Sequence, residues 1–297
     1  MVEQSYTGGV NATGYTPDVQ EDLGMINKIA HSIIRNVEAF DPLNVFNKLP
    51  VDKGTTVEQV VVGLAEATAY NKDGGATEFF EKYPPKMSVR YFDDYKHLVF
   101  PVDIKRNEIR KVLTKDNGVE ELATKIVASL TEGDKYDKFT RTKGLLKWAR
   151  DNSIFKKLTD VTKTNYTDIL LTIKNAVSGM KFVNADYNTS GLKRRTRNED
   201  IFIIMPYTVK NSIDVNELAG VFNLSKAEIE NKIIEIDEGD TIYIVDQNAI
   251  LIYTQLYEMY NWLDINTLDM KYKLHVERMY ATSPLFDACY FNLTAGQ

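Results

Sequence analysis

The sequence predicts an α+β fold. Three observations carry this: segments whose apolar residues recur at helical spacing, separate short runs of β-branched and aromatic residues, and an irregular order of the two with no repeat of fixed period. With 297 residues, 43% of them hydrophobic and 11% aromatic, the chain has the material for a sizeable core in one or two domains.

Residues 1 to 22 are rich in Gly, Thr, Asn and acidic side chains, bury little, and read as a flexible or partner-ordered arm. Ile26, Ile29, Ala30, Ile33, Ile34 and Val37 then fall on one helical stripe, which Asp41-Pro42 stops. From Thr55 to Val102 the texture is strand-like: Val57, Val60, Val61 and Val62 form one run, and Val89, Tyr91, Leu98, Val99, Phe100 and Val102 a second, after Tyr83-Pro84-Pro85. Between them Asn71-Lys72-Asp73-Gly74-Gly75 is a turn-rich stretch. The expectation is a long two-stranded excursion with a mobile tip, and a lone hairpin is marginal in water unless it lies against another chain.

Helical spacing returns with Ile109, Val112 and Leu113, then Val119, Leu122, Ala123, Ile126, Val127 and Leu130, broken at Asn117-Gly118. A polar connector holding Leu145, Leu146 and Trp148 follows, then a helix with Ile169, Leu170, Ile173, Ala176, Val177 and Met180 on one side. Ile201 to Met205 reads as a buried strand ended by Pro206. Val215 to Phe222 and Lys226 to Lys232 read as helical, and Ile233 to Ile236, Thr241 to Val245 and Ile250 to Thr254 as short strands. The last strand puts Tyr272, Leu274 and Val276 on one face and Lys271, Lys273, His275 and Glu277 on the other.

A net charge of -6 argues against a surface given over to nucleic acid, which needs a clustered excess of Lys and Arg. Cys289 is the only cysteine, so neither an intrachain disulfide nor a thiolate zinc cage can form, and it reads as a small core residue in a reducing compartment. The first 22 residues hold no Lys or Arg and no apolar run, so neither a signal peptide nor a basic arm is expected, and no apolar stretch is long enough to cross a bilayer.

Enzymatic signatures are missing. Neither Gly-x-Gly-x-x-Gly nor Gly-x-x-x-x-Gly-Lys-Ser/Thr nor Gly-x-Ser-x-Gly occurs, and His31, His97 and His275 are expected to be surface or satisfied histidines. Asp93-Asp94 could share a cation, but neighbours on a strand point to opposite faces, so a turn between two strand halves is expected. No catalytic, cofactor or metal site is assigned. The one concentrated basic group, Lys193, Arg194, Arg195 and Arg197, sits on a loop after Asn188-Thr189-Ser190-Gly191. It reads either as a contact to acidic patches of a neighbouring subunit or to nucleic-acid phosphates, or as a solvated loop.

In this order of arm, helix, β excursion, long helix, mixed segment and late strand, the chain resembles the major capsid proteins of tailed bacteriophages, a fold shared with encapsulins. Asp200-Ile201-Phe202-Ile203-Ile204-Met205-Pro206 is similar to the axial-domain strand that ends in Pro, and Asp240-Thr241-Ile242-Tyr243-Ile244-Val245-Asp246 to the later strand. Glu277-Arg278-Met279-Tyr280-Ala281-Thr282-Ser283-Pro284-Leu285-Phe286 is similar to the closing strand and its small-residue tail. The resemblance implies an N-terminal arm at 1–24, an arm helix and lead-in at 25–53, and an extended loop at 54–103. A peripheral domain at 104–182 and 264–297 would hold a spine helix at about 107–131, and an axial domain would span 183–263. Lys72, Phe79, Phe80 and Tyr83 become candidate extended-loop contacts.

The implied function is a structural protein, not an enzyme, that self-assembles into hexamers and pentamers of an icosahedral head enclosing double-stranded DNA. It would be assembled in the bacterial host cytoplasm and reside in the virion capsid, with a separate scaffolding protein and a portal protein as partners and no membrane or cofactor. The short arm leaves no room for a fused scaffolding segment. Two readings compete: an encapsulin-like nanocompartment shell, whose members usually begin with a helix rather than an acidic arm, and a cytosolic enzyme of unrecognised α+β fold.

Overall fold

The computed structural model describes residues 37–67, 82–105, 116–213, 232–267 and 269–295. The expected arm and arm helix up to residue 36, the tip of the excursion, the expected start of the spine helix at 107–115 and the expected helices at 215–222 and 226–232, apart from Lys232, lie outside these residues.

A six-stranded sheet forms the centre, in the order β4 (Lys156–Lys157), β11 (Ala288–Thr294), β8 (Thr241–Asp246), β6 (Ile201–Pro206) and β7 (Ile233–Ile236), with β5 (Val161–Thr162) also pairing β11. β8 runs antiparallel to both β11 and β6, whereas β7 runs parallel to β6. Both faces of the sheet are covered, which is why these strands read as continuous apolar runs rather than alternating ones. On one face Ile201, Ile203, Met205, Ile242, Ile244, Cys289 and Phe291 pack on Ile169, Ile173, Val177 and Met180 of helix α2 (Tyr166–Met180). On the other, Phe202, Ile204, Tyr243, Val245 and Tyr290 meet Phe139, Leu146 and Ala149 of helix α1 (Asp116–Asp151), with Leu43 and Phe46 of the short 3-10 turn Pro42–Phe46. Helix α2 begins where the Asn165 side chain accepts from the Asp168 amide (3.2 Å), satisfying an orphan donor of the first turn.

A second sheet has three strands in the order β3 (Tyr95–Ile104), β10 (Asp269–Thr282) and β9 (Ile250–Asp264), all antiparallel. Its inner face packs Leu274, Val276, Val102 and Phe100 on Leu130 of α1, with Ile126 and Val127 against Ile104. The outer face carries Lys271, Lys273, His275 and Glu277, so the expected two-faced strand is present, extended from a short segment to fourteen residues. β9 likewise runs ten residues past Thr254, because its exposed second half is held by pairing to β10 rather than by burial. Where the register shifts between Glu277 and Arg278, Gln255 is the extra residue, and its side chain accepts from the Gly54 amide (3.2 Å).

The excursion divides. β1 (Val57–Val62) pairs β2 (Met87–Phe92) as an antiparallel hairpin, and Asp93-Asp94 then turns the chain into β3, which leaves the hairpin to join β10. The turn expected at those two aspartates is therefore where the second strand-like run breaks in two.

The largest departure concerns α1. Helix was expected to about residue 131 and a polar connector beyond, but the helix runs unbroken to Asp151 and includes Asn117-Gly118. The reason is chemical. The buried stripe at positions 130, 134, 138, 142 and 146 keeps the i,i+4 spacing but alternates Leu130 and Leu146 with Asp134, Lys138 and Thr142, which hides the apolar period. Each buried polar group has a partner: Asp134 binds Arg278, Lys138 binds Asp41 (2.9 Å) and the Asn44 side chain (2.6 Å), and the Thr142 hydroxyl donates to the Lys138 carbonyl (2.8 Å).

Candidate subunit-interface surfaces

The hairpin β1/β2 presents an outward apolar face. Strand pairing sets Val60 against Val89, Val62 against Met87 and Glu58 against Tyr91, and partners in register share a face. Val60, Val62, Met87, Val89 and Tyr91 thus form one stripe, each between 39% and 66% exposed. Leu64 and Tyr83, beyond the end of the hairpin where Val62 pairs Met87, are exposed as well. The hairpin touches the body through Gln59, whose side-chain amide donates to the Asn248 carbonyl (3.1 Å). Such a stripe on a two-stranded ribbon is an apolar patch of the kind that a partner chain can cover. On the distal half of β9, Tyr260 and Trp262 are exposed on the outer face and Tyr257 on the opposite one, with Ile265 exposed in the turn beyond.

Of the four candidate loop contacts, Tyr83 is exposed beside the hairpin stripe, and Lys72, Phe79 and Phe80 lie outside the described residues. The stripe itself was missed from the sequence because Val60-Val61-Val62 is apolar on both faces, leaving no alternation to read. Its signal was the pairing register, which a sequence does not print.

The basic group is split by its surroundings. Arg194 turns inward: its guanidinium donates to Asp246 (3.0 Å) and to the Leu285 carbonyl (2.9 Å), stands 3.6 Å from Asp287, and lies 4.0 Å over the Phe286 ring. The two aspartates are also tied to the Thr196 hydroxyl, at 3.1 and 2.8 Å, and Asp287 accepts from Asn188 (3.0 Å). Burial is the main cause that lifts both carboxyls above the usual carboxylate range, with Arg194 and the hydrogen bonds pulling the other way. Arg194 is thereby an internal clamp joining its loop to β8 and the start of β11. Lys193, Arg195 and Arg197 remain exposed, Arg197 with Glu199 3.4 Å away. Arg195 and Arg197 line an open cleft of about 490 Å³ together with Lys181 and Lys232.

Cys289 is fully buried against α2, and burial pushes its thiol far above the ordinary value, so it does not behave as a nucleophile. Among the described residues, no group of three or more His, Cys, Asp or Glu side chains is placed to hold a metal ion. No helix among them is long and apolar enough to cross a membrane.

A helix-flanked central sheet, a long helix, a two-stranded hairpin and a three-stranded outer sheet make up a fold shared with solved phage capsid chains. The chain superimposes on a chain from the capsid structure of Staphylococcus phage Andhra with a TM-score of 0.78 at 12% identity, covering 98% of this chain and 97% of that one. The family model of Phi29-like phage major capsid proteins matches residues 5–292, and the chain belongs to that family. It is 24% identical over 279 residues to the major capsid protein of Bacillus phage GA-1, covering 90% of this chain and 59% of that protein. Against the major capsid protein of Bacillus phage PZA it is 20% identical over 285 residues, covering 92% and 64%. The chain thus spans about three fifths of the length of these curated relatives. Membership of that family accords with the resemblance read from the sequence.

Proposed function

We propose that many copies of this chain close into hexamers and pentamers of an icosahedral head that encloses double-stranded DNA, and that the β1/β2 hairpin clamps each subunit to its neighbour. The observation that carries this is the apolar stripe Val60, Val62, Met87, Val89 and Tyr91, which the described residues leave exposed. Many modest contacts of this kind hold a lattice once its geometry closes. Arg195 and Arg197, which line the cleft with Lys181 and Lys232, and the exposed Lys193 are the contact to DNA phosphates or to acidic side chains of the next subunit. Lys72, Phe79 and Phe80 extend the hairpin contact, and a separate scaffolding protein and a portal protein complete the assembly in the host cytoplasm. Family membership favours this reading over a nanocompartment shell or an enzyme.

The test is negative-stain microscopy of the full chain produced with its scaffolding protein, and of particles from infected cells. Closed shells built of five- and six-fold clusters, filled with DNA after infection, are expected. A small soluble oligomer at every concentration would sink the proposal.

A further inference from the structure

The chain holds three histidines, and the fold brings two of them together. His97 on β3 and His275 on β10 are diagonal neighbours on the outer face of the three-stranded sheet, since His97 pairs in register with Glu277, two residues along from His275. His97 Nε2 lies 3.0 Å from His275 Nδ1, with ring centroids 5.2 Å apart and the planes inclined at 64°. Tyr260 braces the His275 ring edge-on, 5.4 Å between centroids. Glu277 stands directly across from His97, and Glu258 directly across from His275, so two carboxylates flank the imidazoles on the same face. Lys273, the nearest cation along β10 on that face, has its ammonium over the Trp262 ring, 5.2 Å from the centroid.

We propose that His97 and His275 form a two-imidazole chelate for a divalent transition ion, with water filling the remaining positions. Two metal–nitrogen bonds of 2.0–2.1 Å spanning the observed 3.0 Å separation make an angle of about 94°, that of adjacent positions in a square or octahedral shell. The ring that donates in the free pair passes its proton to its own second nitrogen, so both lone pairs face the ion and no net proton is lost. Negative potential from Glu258 and Glu277 favours the added charge. The ion ties the strand that leads out of the hairpin to the long strand of the body. This site is independent of the shell-building proposal.

Calorimetric titration of the full chain with NiCl2, and separately with ZnCl2, tests it. One ion bound per chain in the micromolar range is expected, with His97→Gln and His275→Gln each weakening affinity by roughly tenfold or more and His31→Gln leaving it unchanged. MgCl2, which selects oxygen ligands, should give no heat at the same concentrations. Melting curves in metal-free buffer check that the His97 and His275 variants fold, and on adding Ni2+ the wild-type chain should gain more melting temperature than either of them. Absence of Ni2+ binding up to millimolar concentration, or wild-type affinity in both glutamine variants, would overturn the assignment.

Discussion

Arg278 and Arg194 both turn into the fold, and each holds separate segments together. Arg278, on β10, meets Asp134 of α1 through paired bonds of 2.8 and 3.0 Å and also donates to the Thr254 hydroxyl (3.0 Å). Desolvation opposes its charge, but the Asp134 bond outweighs this and the guanidinium is held above its ordinary value. Removing one member of such a pair strands a buried charge. Arg278→Ala should therefore cost about 3–5 kcal/mol in urea unfolding, and the double variant with Asp134→Ala markedly less than the sum of the two single changes. In the Arg194 clamp two carboxyls share one guanidinium, and both are raised above the ordinary 3.8. An acid whose folded value is raised contributes most stability below its unfolded value and loses that contribution as pH rises through the folded one. Asp287→Asn leaves Arg194 and Asp246 matched. It should flatten the part of the stability profile that falls as pH rises from 3.8 toward neutrality, visible as the difference between wild-type and variant urea midpoints.

At the scale of elements, two helical glycines have opposite surroundings. A Cβ at Gly144, on the exposed side of α1, meets nothing within 4 Å, so Gly144→Ala should stabilise the fold by about 0.5–1 kcal/mol through lost chain entropy in the unfolded state. At Gly179, in the last turn of α2, a Cβ would stand 2.1 Å from the Tyr187 hydroxyl oxygen and 2.6 Å from its ring, so that Gly179→Ala must displace the tyrosine. The expected cost is about 1–3 kcal/mol. Opposite shifts in the denaturation midpoints of these two variants check both statements, and equal shifts would refute the close packing of α2 on Tyr187.

For the whole molecule, stability of the subunit and assembly of the shell rest on different residues. The core clusters cover both faces of the central sheet, whereas the hairpin stripe projects from the body. Val62→Asp and Tyr91→Asp should leave the subunit's unfolding free energy within about 0.5 kcal/mol of wild type, as for exposed positions generally. Both should abolish closed shells in sedimentation velocity, leaving free subunits or small oligomers. Shells at wild-type yield would remove the hairpin from the interface.

The sequence by itself determined the α+β class, the buried strand at Ile201–Met205, the short strands at Ile233–Ile236 and Thr241–Val245, the two-faced strand through Leu274, and the capsid family. Each of these is written in local periodicity or in element order, because burial on one or both faces selects apolar residues at fixed spacing. Tertiary structure alone decided the rest. It extended α1 across a stripe of Asp134, Lys138 and Thr142 that looks polar until Arg278, Asp41 and Asn44 arrive from elsewhere to satisfy it. It turned Arg194 inward and left Arg195 and Arg197 outside, lined up five apolar side chains from two strands, and set His97 against His275 across 178 residues of chain. All four depend on which distant residues meet, and local spacing carries no record of a partner.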